Sequence, residues 1–201
     1  MAVCTATDPA GAPAHPQRLP VRVLCLGNEL IADDGVGVAA AHRLVERLAL
    51  DGTPVPVEPG FDPALTAWAF ELPRVGRVEV VETALTGMYL LDAVVGASRL
   101  VVLDSVVSGA VEPGAVLELD ESDLSGPRGG SPHYIGLLET LDLARALGMH
   151  VPGEVVVVAV EAGDFVTVGG RMTNAVEAAL PVIVDRTMTL VTGEVVPSGA
   201  S

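Results

Sequence analysis

Two adjacent carboxylates, Asp33 and Asp34, follow the first apolar segment of the chain and are its most promising chemical groups. They lie within residues 27–37, which read GNELIADDGVG. A helix is predicted to begin at about Gly35, so one of these acids could simply cap it by accepting hydrogen bonds from free backbone N–H groups. A single cap needs only one acid. The second is then left over, and a spare carboxylate in a cleft suits a cation.

Two further candidates, Asp104 and His133, come from distant parts of the chain. Asp104 follows an apolar Leu-Val-Val-Leu segment, and His133 follows Ser131-Pro132. Either residue alone has an ordinary structural explanation, as a turn cap or as the start of a helix. Taken together with the first pair, they form an oxygen-rich set with one imidazole. Such a set suits a borderline divalent ion such as Ni, Zn or Mn and leaves coordination positions open for substrate.

Other chemistries fit the same residues less well. The glycines of residues 27–37 do not follow the G-x-G-x-x-G spacing, and two acids at a helix start would repel a pyrophosphate, so nucleotide binding is disfavoured. No Ser/His/Asp or Cys/His arrangement competes, because Cys25 lies inside a predicted strand and Ser105 lacks an obvious partner base. An H-E-x-x-H zinc-protease motif is also absent from the sequence.

The elements that must position these side chains alternate along the chain. Apolar segments predict strands at 22–26, 78–82, 99–104 and 154–160. Helical spacing predicts helices from Gly35 and over 87–95, 133–147 and 173–190. The last of these helices is expected to be kinked or interrupted by Pro181. Residues 115–119 follow a turn signature and predict an antiparallel edge strand. We therefore expect a three-layer α/β sandwich, with a twisted, mostly parallel sheet and helices on both faces. Ligands of such sheets bind at the carboxyl ends of the strands, where Asp34, Asp104 and His133 would meet.

The pattern predicts one domain over residues 21–192. Residues 1–20 and 193–201 are expected to be flexible tails, and residues 125–132 a loop. The Pro-rich stretch 51–76 is interpreted as an insertion, with a short helix at about 64–70.

Composition excludes several partners. The 201 residues include 26 acids and 11 Lys or Arg, for a net charge of −15. This balance argues against nucleic acid, because phosphate contacts need clustered basic residues.

The first twenty residues lack a signal-peptide pattern, and the longest apolar run, Val155 to Val160, is too short to span a membrane. With two poorly placed cysteines, Cys4 and Cys25, the expected location is the cytoplasm.

Three segments resemble the [NiFe]-hydrogenase maturation endopeptidases. Residues 26–37 (LGNELIADDGVG) are similar to the opening motif of that family, residues 101–105 (VVLDS) to its second acidic strand end, and residues 131–137 (SPHYIGL) to its SPH-x-x-G-L segment. The order and spacing agree over most of residues 21–192.

The resemblance implies a metal-dependent endopeptidase that removes the C-terminal extension of a hydrogenase large-subunit precursor after nickel insertion. By position, it implies Asp34, Asp104 and His133 as metal ligands and catalytic residues, with Asp33 as an auxiliary base or ligand-orienting residue. The nickel is expected to arrive inside the precursor, and other divalent ions such as Zn or Cd could occupy the same site.

One segment departs from the family pattern. Glu82-Thr83-Ala84-Leu85 stands where the family usually shows Asp-Gly-Gly-Thr. Thr and Ala adopt positive φ less freely than Gly, and this loop borders the expected cleft, so the departure bears on substrate recognition and on proteolytic competence. The alternative function is therefore a non-catalytic maturation accessory that binds the nickel-loaded precursor.

Overall fold

The computed structural model describes residues 18–124 and 132–193, with the side chains of Pro132 and His133 outside the described part. Most of the predicted tails at 1–20 and 193–201, and most of the predicted loop at 125–132, lie outside the described residues as well.

A single mixed sheet forms the centre of the fold. Its four inner strands are mutually parallel, as expected for strands that alternate with helices. The strand order is β2-β3-β4-β1-β5-β7-β6. The seven strands are β1 (Val21–Leu26), β2 (Thr53–Val55), β3 (Thr66–Leu72), β4 (Gly76–Thr83), β5 (Arg99–Val106), β6 (Val116–Asp120) and β7 (Val155–Glu161).

Helices cover both faces of this sheet, so the predicted three-layer α/β sandwich is confirmed. The helices are α1 (Val36–Asp51), α2 (Leu91–Val94), α3 (Glu121–Leu124), α4 (Pro132–Ala146) and α5 (Asn174–Thr192). Successive residues of β1 point to opposite faces. Val23 and Cys25 pack with α1 and α5, whereas Leu24 and Leu26 pack with α2 and α4.

Both ends of the sheet are antiparallel. At one end β6 pairs antiparallel with β7, which confirms the predicted edge strand. At the other end β2 and β3 extend the sheet, so the helix predicted at 64–70 is wrong. β3 pairs with β4 along its whole length, from Thr66 opposite Glu82 to Leu72 opposite Gly76. This non-local pairing stabilises a strand in a segment too short for its periodicity to distinguish strand from helix.

Two predicted helices also differ in detail. The segment predicted as one helix over 87–95 is a 3-10 turn, Gly87–Leu90, followed by the short helix α2. The last helix, α5, continues through Pro181 instead of ending there. Within the described residues, no helix is long and apolar enough to cross a membrane.

Candidate functional site at the carboxyl edge of the sheet

The carboxyl ends of the parallel strands bring Asp34 and Asp104 together. Both are buried, with exposed fractions of 3% and 1%. Ser105 links them, since its backbone N–H donates to Oδ1 of Asp104 (2.8 Å) and its hydroxyl donates to Oδ1 of Asp34 (3.0 Å). Buried carboxylates are costly unless they are hydrogen-bonded, paired or bound to a cation. The hydrogen-bonded pair is therefore a specific structural feature of the sheet edge.

Two glycines near the ends of the first motif, Gly27 and Gly37, allow Asp34 to reach this position. A 3-10 turn, Asp33–Gly35, links β1 to α1, and the Asn28 N–H donates to Oδ2 of Asp34 at 3.1 Å. A Cβ on Gly27 would lie 2.1 Å from the Asp34 carbonyl oxygen, and one on Gly37 would lie 1.9 Å from that of Leu26. Only glycine allows this close approach of backbone to backbone.

Asp33 faces a different part of the molecule from Asp34. Its Oδ2 accepts hydrogen bonds from the N–H groups of Gly163 (2.8 Å) and Asp164 (2.7 Å) and from the Thr173 hydroxyl (3.0 Å). Its Oδ1 accepts from the Thr173 N–H (2.7 Å). The side chain is fully buried. Asp33 therefore anchors the loop between β7 and α5 to the first motif.

The capping explanation for this acid pair is wrong for helix α1. Gly35 occupies the N-cap position, and no side chain caps the helix there. The two acids are instead divided between the sheet-edge site and the β7–α5 loop. The prediction that Asp33 acts as an auxiliary base stays a prediction, but its four donors favour a structural role.

His133 lies in the first turn of α4, and the structure describes its backbone but not its side chain. The next residue, Tyr134, is fully buried. Burial raises the pKa of the Tyr134 phenol well above its usual value, and the nearby charge of Asp104 raises it further. The Tyr134 phenol is therefore within electrostatic range of Asp104. No three described His, Cys, Asp or Glu side chains could together hold a metal ion, so the ligand role of His133 stays a prediction.

Two polar residues of this site were missed by the sequence analysis. Ser105 was considered only as a nucleophile and rejected, whereas the structure shows it linking the two carboxylates. Tyr134 follows the predicted ligand His133 directly, and that adjacency was the available signal. In both cases the available signal was a polar residue directly after a candidate ligand.

Cysteine chemistry is unfavourable at this edge. Cys25 is fully buried, as expected for a small core residue. Burial, and to a smaller extent the charge of Glu82, raises the pKa of its thiol far above neutral pH. A buried thiol that stays protonated is a poor nucleophile.

Glu82, the first residue of the segment that departs from the family pattern, pairs with helix α1. Its Oε2 lies 3.1 Å from Nε2 of His42. Burial raises the pKa of Glu82, His42 opposes that shift, and the charge of Glu29 adds to it. The segment has a defined path, because the Leu85 N–H donates to the Thr83 hydroxyl oxygen (3.0 Å) and the Gly27 N–H donates to the Thr83 carbonyl (3.3 Å).

Comparisons of sequence point to one family. Its model, described as the HycI hydrogenase maturation protease, matches residues 68–190. Hydrogenase expression/formation protein HupD of Thiocapsa roseopersicina is 28% identical over 171 residues, which is 80% of this chain and 66% of that protein. Hydrogenase 2 maturation protease of Escherichia coli K12 is 25% identical over 130 residues, covering 64% of this chain and 65% of that protein. The chain thus spans about two thirds of the length of these relatives.

Solved structures share the fold. The hydrogenase maturating endopeptidase HybD of E. coli superimposes with a TM-score of 0.63 at 23% identity, covering 87% of this chain and 93% of that one. The [NiFe] hydrogenase maturation protease HybD of Thermococcus kodakarensis gives a TM-score of 0.57 at 23% identity, covering 86% and 99%. Together these comparisons confirm the family resemblance that the three motifs indicated.

Proposed function

Because this chain belongs to the hydrogenase maturation protease family, we propose that it cuts a hydrogenase large-subunit precursor and releases the C-terminal extension. The observation that supports this proposal is the buried pair Asp34 and Asp104, joined through Ser105 at the carboxyl edge of the sheet. In an open α/β sheet, this is the edge at which ligands bind.

The proposed recognition element is nickel already carried by the precursor, which makes the metal part of the substrate. The residues that would bind it are Asp34, Asp104 and His133. Their fit rests on donor chemistry, since two carboxylates and an imidazole are ligands that a borderline divalent ion accepts. The same set could accept Zn or Cd. A metal held there would polarise the scissile carbonyl or orient the attacking water.

The protein's own contribution in this proposal is to keep two buried carboxylates in place before the precursor arrives. The Ser105 hydroxyl and the Asn28 N–H each donate to one oxygen of Asp34, which holds the orientation of that carboxylate. The Ser105 N–H does the same for Asp104. Hydrogen bonds from neighbouring groups orient metal ligands in this way and tune their basicity. Asp33 stabilises the adjoining loop rather than touching the substrate in this proposal.

The proposed location is the cytoplasm. Cys25 is a free, buried thiol, which agrees with a reducing compartment but does not require one.

The experiment incubates the full chain with nickel-loaded and nickel-free precursor and measures loss of the C-terminal extension by mass spectrometry. Asp104→Asn is expected to lower the rate by about 100-fold or more, since it removes a proposed ligand charge. Asp185→Asn is the matched control, because Asp185 is exposed on α5.

Three outcomes decide between the possibilities. Cleavage of only the nickel-loaded precursor, lost in Asp104→Asn and kept in Asp185→Asn, supports the proposal. Wild-type cleavage that persists in Asp104→Asn would overturn the assigned site. Stable co-elution of wild-type protein and precursor without cleavage would instead support the non-catalytic accessory suggested by the altered segment 82–85.

A further inference from the structure

A short antiparallel ribbon adjoins the 3-10 turn that carries Asp33 and Asp34. Residues 30–32, from the first motif, lie beside residues 166–169, from the loop between β7 and α5. The Ala32 N–H donates to the Thr167 carbonyl (3.1 Å), the Gly169 N–H donates to the Leu30 carbonyl (2.8 Å), and Ile31 and Val168 form an antiparallel bridge. We call these two segments the rim ribbon.

Three apolar side chains of the rim ribbon are turned to solvent. Leu30, Val166 and Val168 are 65%, 86% and 76% exposed. Single exposed apolar residues are ordinary on protein surfaces, but several on adjoining segments form an exposed apolar patch, which marks an interaction site. Val166 and Val168 lie in one segment of the rim ribbon and Leu30 in the other, and the segment with Leu30 leads directly into Asp33 and Asp34.

The rim ribbon is held in shape before any partner binds. Asp33 anchors the loop that carries its second segment on both sides, through the hydrogen bonds from Gly163 and Asp164 before it and from Thr173 after it. Within the loop, Oδ1 of Asp164 accepts from the N–H groups of Val166 (3.1 Å) and Thr167 (3.0 Å). A preformed surface binds with a smaller loss of conformational entropy than a flexible loop.

Charges around the rim ribbon indicate the kind of partner. Glu29 is exposed beside Leu30. Hydrogen bonds from Thr167 and from the Val166 N–H lower the pKa of Asp164, which keeps it ionised. Arg171 is the one basic residue among residues 27–32 and 162–173, all of which the structure describes. With a net charge of −15 for the whole chain, this surface complements apolar side chains accompanied by Lys or Arg.

We propose that the rim ribbon binds an extended segment of the precursor that carries apolar side chains and at least one Lys or Arg, next to the bond that is cut. This inference rests on the proposed function, because it assigns the contact surface for the same substrate. It places binding energy outside the pair Asp34 and Asp104, where it aligns the substrate chain without taking part in the chemistry.

The test combines Val166→Ser and Val168→Ser and measures two quantities. The first is KM and kcat for precursor cleavage. The second is binding of the precursor to Asp104→Asn protein with and without the double substitution. We expect KM and Kd to rise by about tenfold or more with little change in kcat, as for loss of apolar anchors at an interface. The matched control is Leu50→Ser with Val182→Ser, two exposed apolar residues on α1 and α5.

A second arm tests the charge assignment. Glu29→Lys is expected to raise KM, with an effect that shrinks at high salt because exposed charges are screened. Should the double variant fail to fold, Val166→Ser alone serves in its place, since Val166 is the most exposed of the three.

The outcomes separate this inference from the proposed function. Wild-type cleavage with unchanged KM and Kd in the Val166/Val168 variant would overturn the rim ribbon alone. A wild-type protein that binds but does not cut, and loses binding in that variant, would support the rim ribbon and overturn the protease assignment. Absence of both binding and cleavage in the wild type would overturn both.

Discussion

Replacing Asp33 by Asn distinguishes an anchoring role from a catalytic one. Oδ2 of Asp33 accepts three hydrogen bonds, from Gly163, Asp164 and the Thr173 hydroxyl, and Oδ1 accepts one, from the Thr173 N–H. An Asn side chain keeps a single acceptor oxygen. Its best placement has that oxygen at the Oδ2 position, so its NH₂ group faces the Thr173 N–H donor.

The expected loss in the free energy of unfolding follows from the number of hydrogen bonds that the substitution removes or weakens. One hydrogen bond to a charged group is lost, which costs about 1.5–3 kcal/mol, and a buried N–H is left without its acceptor. The three remaining bonds fall to the strength of neutral ones, roughly half. Because a buried charge is also removed, part of this cost is offset. We expect a net loss of about 2–4 kcal/mol in the free energy of unfolding, or about 5–15 °C in Tm for a domain of this size.

The assay is thermal unfolding followed by circular dichroism, together with amide hydrogen exchange at Gly163, Asp164 and Thr173. Exchange at these amides should accelerate in Asp33→Asn, while kcat measured well below Tm stays within a few-fold of wild type. Asp185→Asn, at an exposed position of α5, serves as the control. A general base at Asp33 would give the opposite result, with Tm unchanged and kcat lower by about 100-fold or more. That result would refute the anchoring assignment.

The remaining predictions concern burial and packing elsewhere in the fold. Arg22→Met should lower the free energy of unfolding by about 2–4 kcal/mol in urea denaturation, because it removes the closer of the two arginines that pair with buried Glu79 (2.7 Å, against 2.9 Å for Arg77). The value of kcat should stay unchanged, because Arg22 lies near the amino end of β1, away from the carboxyl edge of the sheet. Burial raises the pKa of Glu82, so its ionisation opposes folding at neutral pH. Glu82→Gln should therefore raise Tm at pH 7. This difference in Tm should vanish as the pH falls below about 4.3, the ordinary pKa of Glu, because the wild-type side chain is then protonated in both the folded and the unfolded state. Gly37→Ala should cost more than about 4 kcal/mol or abolish folding, because the new Cβ would lie 1.9 Å from the Leu26 carbonyl oxygen.

Matched variants test the Arg22 and Gly37 predictions, and a comparison of two pH values tests the Glu82 prediction. Arg43→Met removes an exposed arginine from α1 and should be nearly neutral. Gly153→Ala should be tolerated, since its Cβ would come no closer than 3.8 Å to the nearest atom, the Ser98 carbonyl oxygen. Equal losses in Arg22→Met and Arg43→Met, or in the two glycine variants, would contradict the packing arguments. A Tm difference for Glu82→Gln that is the same at pH 4 and pH 7 would contradict the pKa argument.

The sheet and its layers were predictable wherever local patterns are strong. The Val runs of β5 and β7 are buried on both faces, which requires the continuous apolar sequence that they show. The spacing of Val36, Ala40 and Leu44 marks the buried face of α1 in the same way. These elements depend on hydrophobic burial, and the residue types along each segment indicate that burial directly.

The stretch 51–76 was predicted poorly for the opposite reason. β3 is a strand because its backbone pairs with β4, a partner that local periodicity does not specify. The hairpin turn before Gly76 places the non-glycine residue Arg74 at a φ of 70°, an uncommon conformation that residue type alone does not indicate. Pairing of this kind is decided by the sheet as a whole.

For the candidate site, residue types and periodicity already indicated that two successive carboxylates follow β1 and that Asp104 comes near the carboxyl end of another strand. The folded chain shows in addition that β1 pairs with β5, that Asp34 joins Asp104 through Ser105, and that Asp33 anchors the β7–α5 loop. The physical reason is the 3-10 turn that carries the two acids. With about three residues per turn, consecutive side chains point roughly a third of a revolution apart, so neighbours in sequence meet different partners in space.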